Sequence, residues 1–525
     1  GGRPAAAGRM APQAVDSRPN KRRRVADKKK AADAAVAAKK AAASEALAVD
    51  GQALVQFVDP EGHQAGPELD LPLGTTKEQL TTLLNKLLEQ EADELPYSFH
   101  LEEQTEIVSS LATSFGKAGN LSTERVLKIT YYPLAVFRVR PVTRCTSSLN
   151  GHTEAVLCVA FSPDARSLAS GSGDSTVRLW DLGTELPKHT CQGHKNWVLT
   201  VAWSPDSSLL ASAGMDKTVM LWCGQSGKQK GTLKGHTQAV TCACWQPLHC
   251  APEGSMPQLA TASKDATVRL WEVGGMSCLR VLTSHTQPVM QVRWSGERAE
   301  QGGVVYTAGR DCNIKVWSPK DGAMITELKG HGHWVNTLAL NTDYVIKSGP
   351  YNHEDQKFDG LEEKRVAAKA RYAEALALCG GERLLSGSDD FTLFLWRPLQ
   401  SKTAICRMTG HQKVVNQVAF SPDGRWFASA SFDKSVRLWD GRTGRYVHAF
   451  RGHVGEVYQL AWSADSRMLI SASKDSTVKC WNITTRKLQE DLPGHADEVY
   501  ATDWSLNGAR VATGGKDRVL KIWRH

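Results

Sequence analysis

The sequence predicts an all-β ring of eight blades, a β-propeller, preceded by a small α+β domain. Three observations carry this expectation. The stretch at residues 410–440, from Gly410-His411 to Trp439-Asp440, recurs eight times between residue 151 and the C-terminus. Every copy alternates apolar and polar residues in short runs separated by turns such as Ser421-Pro422-Asp423-Gly424, which is how half-buried strands of antiparallel sheets read. The last copy ends two residues past Trp523, so it lacks an outer strand that the segment before the first copy can supply.

The copies are marked by His152, His194, His236, His285, His331, His411, His453 and His495, and by closing tryptophans Trp180, Trp222, Trp271, Trp317, Trp396, Trp439, Trp481 and Trp523. An aspartate stands six residues before each tryptophan: Asp174, Asp216, Asp265, Asp311, Asp390, Asp433, Asp475 and Asp517. Where no insertion intervenes, the histidines recur every 42 residues. A period in this range with Gly-His opening and Trp-Asp closing is the signature of WD40 blades. The aspartate falls in a tight turn where it can accept a hydrogen bond from the histidine and fix its tautomer, with the tryptophan covering both. Taken singly, these Ser/Thr-His-Asp sets suggest hydrolase triads, but recurrence in every blade and the lack of a G-x-S-x-G elbow make them structural. The expectation is therefore a protein that is not an enzyme.

Composition narrows the class further. Hydrophobic residues make up 41% of the 525, no run reaches the roughly 18 apolar residues a membrane helix needs, and the start has no apolar core of a signal peptide. The reading is a cytosolic or nuclear protein with no membrane contact. The 12 cysteines include no C-x-x-C pair; Cys242, Cys244, His249 and Cys250 cluster locally, but their spacing fits no common zinc site, and reduced structural thiols are expected. Residues 1–50 hold 12 Lys/Arg against 5 Asp/Glu, a charge of +7, leaving +2 of the total +9 for everything else. The nearly neutral folded part argues against nucleic-acid binding through bulk charge.

In chain order, residues 1–50 read as a disordered basic tail, with Lys21, Arg22, Arg23, Arg24, Lys28, Lys29 and Lys30 as a nuclear-import cluster. Residues 53–133 read as two strands, a helix opened by a capping box at Thr75 and Glu78 with an apolar face of Leu80, Leu83, Leu84, Leu87 and Leu88, then further strands; this is the ubiquitin-like β-grasp order. Residues 134–525 form the propeller, closed by a strand within 134–150 centred on Val136-Phe137-Arg138-Val139-Arg140. A long insertion at 341–382 in the fifth repeat contains a helical stretch. Insertions of this kind map to surface loops and often serve binding. Trp197, Trp334, Tyr458 and Tyr500 flank the first-strand valines and are candidate partner contacts at the blade rim.

The order of basic tail, β-grasp unit and eight repeats resembles the Notchless (NLE) family of ribosome assembly factors. The resemblance is carried by Ala135-Val136-Phe137-Arg138-Val139-Arg140-Pro141-Val142-Thr143-Arg144, Gly193-His194-Lys195-Asn196-Trp197-Val198, His333-Trp334-Val335-Asn336, Met408-Thr409-Gly410-His411-Gln412-Lys413 and Asp491-Leu492-Pro493-Gly494-His495. It implies a scaffold of large (60S) subunit biogenesis in nucleolus and nucleoplasm, monomeric outside the particle, docked on the pre-60S particle beside assembly factors, ribosomal proteins and rRNA. It also implies that the MIDAS domain of the AAA+ ATPase midasin grips the ubiquitin-like domain. A MIDAS holds a divalent ion, Mg by the hard-oxygen logic of such sites, with one position open to a partner carboxylate. Carried onto the turn Asn120-Leu121-Ser122-Thr123-Glu124, that carboxylate is Glu124, ahead of Glu102, Glu103 and Glu106; no cofactor of the protein's own is implied. Two other classes compete: a cullin-4 ligase substrate receptor, from the W-D-x-R match Trp439-Asp440-Gly441-Arg442, and a Notch-pathway scaffold, from the family's name alone.

Overall fold

A computed structural model of the chain describes residues 52–59, 64–88, 97–101, 105–107, 111, 126–133, 137–353, 356–358 and 360–525. The basic tail, the Asn120–Glu124 turn, and Glu102 and Glu103 lie outside the described residues, as does the side chain of Glu106. The chain divides into two compact units, Gly1–Val136 and Phe137–His525.

In the first unit the described strands are β1 (Gln52–Val58), β2 (Leu69–Pro72), β3 (Tyr97–Leu101), β4 (Thr105–Glu106) and β5 (Leu127–Pro133), with helix α1 (Lys77–Leu87) after β2. They form one mixed sheet in the order β2-β1-β5-β3-β4, in which β1 and β5 run parallel and the other pairs antiparallel. Leu80 and Leu84 are fully buried against Val55, Phe57, Phe99 and Ile129, while Leu83, Leu87 and Leu88 pack at the margin. The helix starts one residue later than the sequence predicts. Thr76, not Thr75, is the cap, and Gln79, not Glu78, closes the capping box; Thr75 is buried and turned back, its hydroxyl donating to the Pro72 carbonyl at 2.6 Å.

In the second unit, the described residues form eight four-stranded antiparallel sheets. The sixth is representative: strand a (Val415–Phe420), b (Trp426–Ser431), c (Ser435–Asp440) and d (Tyr446–Arg451). Its inner strand alternates buried Val415, Val418 and Phe420 with partly exposed residues, whereas strand b is buried almost end to end, as expected for a sheet sandwiched between neighbouring blades. Small residues there let blades approach. Inter-blade hydrogen bonds fix the spacing: the Trp203, Trp245 and Trp462 indoles donate to Ala160, Ala202 and Ala419 of the preceding blade at 2.9–3.1 Å.

The eighth sheet takes its outer strand from the other end of the unit. Arg144–Leu149 pairs antiparallel with Leu520–Arg524 in the order closing a ring, so the eighth sheet gains a fourth strand like the others and only the short outer edges of a propeller remain. The strand expected around residues 136–140 therefore lies later. Residues 137–142 instead run alongside the seventh and eighth blades, burying Val139 and Val142 and donating the Val139 amide to Asp465 at 2.8 Å. Pro141 explains the shift, since it cannot donate within a ladder.

Gly508, at φ +71°, turns directly over this seam, and a Cβ there would sit 2.4 Å from Val139 Cγ2; Gly254, at φ +72°, faces open space. Both are left-handed positions that disfavour alanine. Gly508→Ala is therefore expected to lose about 1 kcal/mol or more of stability beyond Gly254→Ala, compared by urea denaturation; equal losses would show that the seam does not hold the ring.

Candidate functional site

Each blade carries the same buried relay. In the sixth, Trp439 Nε1 donates to Ser429 Oγ at 2.9 Å, Ser429 Oγ lies 2.7 Å from His411 Nε2, and His411 Nδ1 lies 2.8 Å from Asp433 Oδ2. With the indole donating, the hydroxyl proton is free for Nε2, which places the imidazole proton on Nδ1 facing the carboxylate. The other carboxylate oxygen accepts from the Ser435 amide and hydroxyl. The set repeats as His152–Asp174–Ser170–Trp180, His194–Asp216–Ser212–Trp222, His453–Asp475–Ser471–Trp481 and His495–Asp517–Thr513–Trp523. It recurs at His236, His285 and His331 with Thr261, Thr307 and Ser386.

These hydroxyls are wholly enclosed: Ser170, Ser212, Ser429 and Ser471 have no exposed surface, so none can reach a substrate. The sequence shows a Ser/Thr in each set but does not say which one bridges histidine and tryptophan; its signal is a hydroxyl ten residues before every closing tryptophan. The glycine of Gly-His also has a reason. A Cβ on Gly151, Gly235 or Gly410 would lie 2.2–2.6 Å from the guanidinium of Arg178, Arg269 or Arg437 on strand c. In the fourth blade, where Ser284 replaces glycine, Lys315 instead donates to the Ser284 carbonyl and hydroxyl at 2.7 and 2.9 Å.

The four aromatic candidates all fall on the face built from the Gly-His and Asp turns. Trp197 is 52% exposed and lies over Gly173. Trp334 is 37% exposed and carries the Arg310 guanidinium 4.1 Å from its ring centre. Tyr458 is more confined: its hydroxyl donates to Glu498 at 2.9 Å, and its ring lies 5.5 Å from that of Tyr500. Two open aromatic platforms and one internally tied pair are thus present on one face.

The fifth-repeat insertion occupies the opposite face. Its helices α2 (Asp343–Ser348) and α3 (Leu361–Cys379) reach several other blades. Tyr351 and Lys364 donate to the Asp206 carbonyl of the second blade, Arg365 to the Pro252 and Ser255 carbonyls of the third, and Cys379 to the Asp423 carbonyl of the sixth. His353 stacks on Phe137 at 4.0 Å. Arg442, the W-D-x-R arginine, donates to the Leu378 carbonyl at 2.8 Å, so the insertion holds that side chain.

Under α3 lies the carboxyl of Glu382, fully buried, accepting from Thr342 and Tyr372 at 2.6 and 3.3 Å and from Ser295. Burial, then the charge of Glu297, pushes it up to about 7. The Cys242, Cys244, His249 and Cys250 cluster does not converge. His249 stacks on Tyr372 at 4.4 Å, Cys250 turns to the Gly296 carbonyl, and burial pushes the Cys244 thiol up to about 12, leaving it protonated. Among the described residues no group of His, Cys, Asp and Glu is placed to hold a metal.

The WD domain, G-beta repeat family matches residues 143–181, 185–223, 227–272, 276–318, 402–440, 444–482 and 486–524. These seven matches omit the repeat that the insertion splits, and each begins on an outer strand, one strand ahead of its sheet. The NLE (NUC135) domain matches residues 53–115. Protein Notchless of Drosophila melanogaster is 49% identical over 374 residues, covering 70% of this chain and 74% of that protein. Ribosome assembly protein 4 of Saccharomyces cerevisiae is 44% identical over 403 residues, covering 74% and 78%. Among solved structures, the computationally designed Ika8 protein superposes with a TM-score of 0.55 at 24% identity, covering 72% of this chain and 98% of that one, a likeness of fold alone.

The ionisable groups set opposite pH slopes. Burial raises the relay carboxyls, but hydrogen bonds from the histidines, the +2 residues and backbone amides outweigh it, holding Asp216 and Asp265 down at about 2. Burial holds His236 and His411 below the ordinary 6.5. In both cases the unfolded chain takes up more protons on acidification, so stability falls below pH 6.5 and falls again from the ordinary aspartate value of 3.8 toward 2. Glu382 acts in the other sense: its raised value favours the fold at low pH and withdraws that contribution as pH rises from 4.5 through about 7. Thermal midpoints measured across pH 3–9 should show Glu382→Gln flattening only the neutral-side decline. Ser429→Ala, which strands the His411 and Trp439 nitrogens, should cost about 1–3 kcal/mol.

Proposed function

The chain belongs to the Notchless family, and from that membership we propose that it is a non-catalytic scaffold of ribosome biogenesis. The observation that carries the reading is the joint match of an NLE domain and a WD40 ring at 44–49% identity to relatives of which one is named a ribosome assembly protein. Burial of every relay hydroxyl and imidazole supports a structural use of the repeated His, Asp and Ser or Thr residues. In this reading the propeller docks on the pre-60S particle in the nucleolus and nucleoplasm, and Lys21–Lys30 carry it into the nucleus. The first unit is a ubiquitin-like domain gripped by the MIDAS domain of midasin, whose divalent ion Glu124 completes. The exposed Trp197 and Trp334 rings support docking through the face opposite the insertion.

Chemistry makes the Glu124 assignment separable from a general acidic contact. A carboxylate that ligates the ion must reach it at about 2.1 Å if the ion is Mg, so shortening the side chain by one methylene should abolish coordination while keeping charge. Glu124→Asp and Glu124→Ala are expected to lose metal-dependent binding to an isolated MIDAS domain equally, and tagged Glu124→Ala should still sediment with precursor large-subunit particles. Undiminished, metal-dependent capture of Glu124→Ala would overturn the assignment; failure of the wild-type chain to sediment with those particles would overturn the scaffold reading.

A further inference from the structure

The strand-c side chains on the outer rim are managed differently from blade to blade. In the fourth blade, Lys315 faces Glu327 across the strand pair, 3.4 Å apart. In the seventh, Lys479 faces Asp491 at 2.7 Å. In the sixth, Arg437 faces Ala449, and two pairs further on Ser435 faces a second arginine, Arg451. The turn before strand c adds Lys434. The corresponding positions of the first blade, beside Arg178, are Gln192 and Ser175, and those of the third, beside Arg269, are Thr283 and Ala266. The second blade puts Met220 where the sixth has Arg437.

Lys434, Arg437 and Arg451 line a cavity of 380 Å³ together with Gln412, Asp433 and Gly452. Asp433, the carboxylate of this lining, offsets one of these three positive charges and leaves two in excess. Its two oxygens are taken by His411 and the Gln412 amide on one side and by Ser435 on the other. Glu456, a second acid within electrostatic reach of Lys434, is ion-paired with Lys474 at 2.9 Å. Arg437 is fixed in place, donating to the Gly410 carbonyl at 2.7 Å across a glycine whose missing Cβ makes room for it. The cavity is thus a cradle with two positive charges in excess, built around one fixed guanidinium.

We propose that this cradle on the sixth blade binds a phosphate monoester, presented as a phosphorylated side chain of a partner segment. Two exposed cations beside a fixed guanidinium suit a compact dianion, for which arginine offers paired donors. A nucleic-acid strand would need a continuing positive track with bases stacked along it. The adjoining rim interrupts such a track, because in the seventh blade Lys479 and Lys474 are already neutralised by Asp491 and Glu456.

The test uses the full chain and O-phosphoserine, titrated by phosphorus NMR, for wild type and for the double variant Lys434→Asn, Arg451→Gln. Asparagine suits the left-handed backbone at Lys434, φ +69°, and both side chains are exposed, so thermal midpoints should not move. The expected result is saturable binding that weakens at least tenfold in the double variant, the basic tail being common to both. Equal binding by the two proteins overturns the proposal. Glutarate binding as well as O-phosphoserine would make the site one for carboxylates and overturn it. So would a single-stranded RNA decamer that loses affinity in the double variant while O-phosphoserine fails to saturate.

Discussion

The ring depends on one antiparallel strand pair. Leu520–Arg524 would present an unpaired edge, and the eighth blade would have three strands, unless Arg144–Leu149 came to it from the far end of the unit. Closure joins residues nearly four hundred apart, and the entropy of such a loop grows only slowly with its length, so a short ladder with buried flanks can hold it. Val139, Val142 and Trp523 supply those flanks in one apolar cluster. The relays then stiffen each sheet from within, since every polar atom they bury has a partner.

Rigidity on this scale frees the two faces for different tasks. One face is crossed by the fifth-repeat insertion, which ties the second, third and sixth blades through carbonyls that turn residues leave available. Arginine does this well because a guanidinium can serve several carbonyl acceptors at once: Arg365 donates to both Pro252 and Ser255 of the third blade, while Arg371 holds the insertion together through the Ser348 hydroxyl and the Gly349 and Tyr351 carbonyls. The insertion is thus a brace, and the open aromatic platforms lie on the other face. The near-neutral charge of the folded part conceals a local imbalance. Lysines on the fourth and seventh blades are answered by acids across the ladder, and the cations of the sixth are not.

Much of this was legible beforehand because the repeat exposes its own logic. Eight copies of histidine, aspartate and tryptophan at fixed spacing leave one architecture that uses them all, and the missing outer strand pointed to the segment that supplies it. Legibility failed where a local rule met a competing contact. Thr75 and Thr76 are both able caps, and the fold turns Thr75 inward and leaves Thr76 at the helix start. Val136 to Arg140 alternates like a strand, yet Pro141 and the burial of Val139 moved the pairing to Arg144–Leu149. The inter-blade bonds of Trp203, Trp245 and Trp462 leave no local signal, because the carbonyls they bond lie 43 residues earlier in the chain.

The sequence by itself determined the number of blades, the members of each relay apart from which hydroxyl bridges it, and the family. All of these rest on short-range spacing, which a repeated pattern reveals. Only the tertiary structure decided what the insertion touches, which aromatic rings remain open and which cations go unanswered. Those properties depend on side chains brought together from different blades, and on registers across strands that composition and periodicity do not encode.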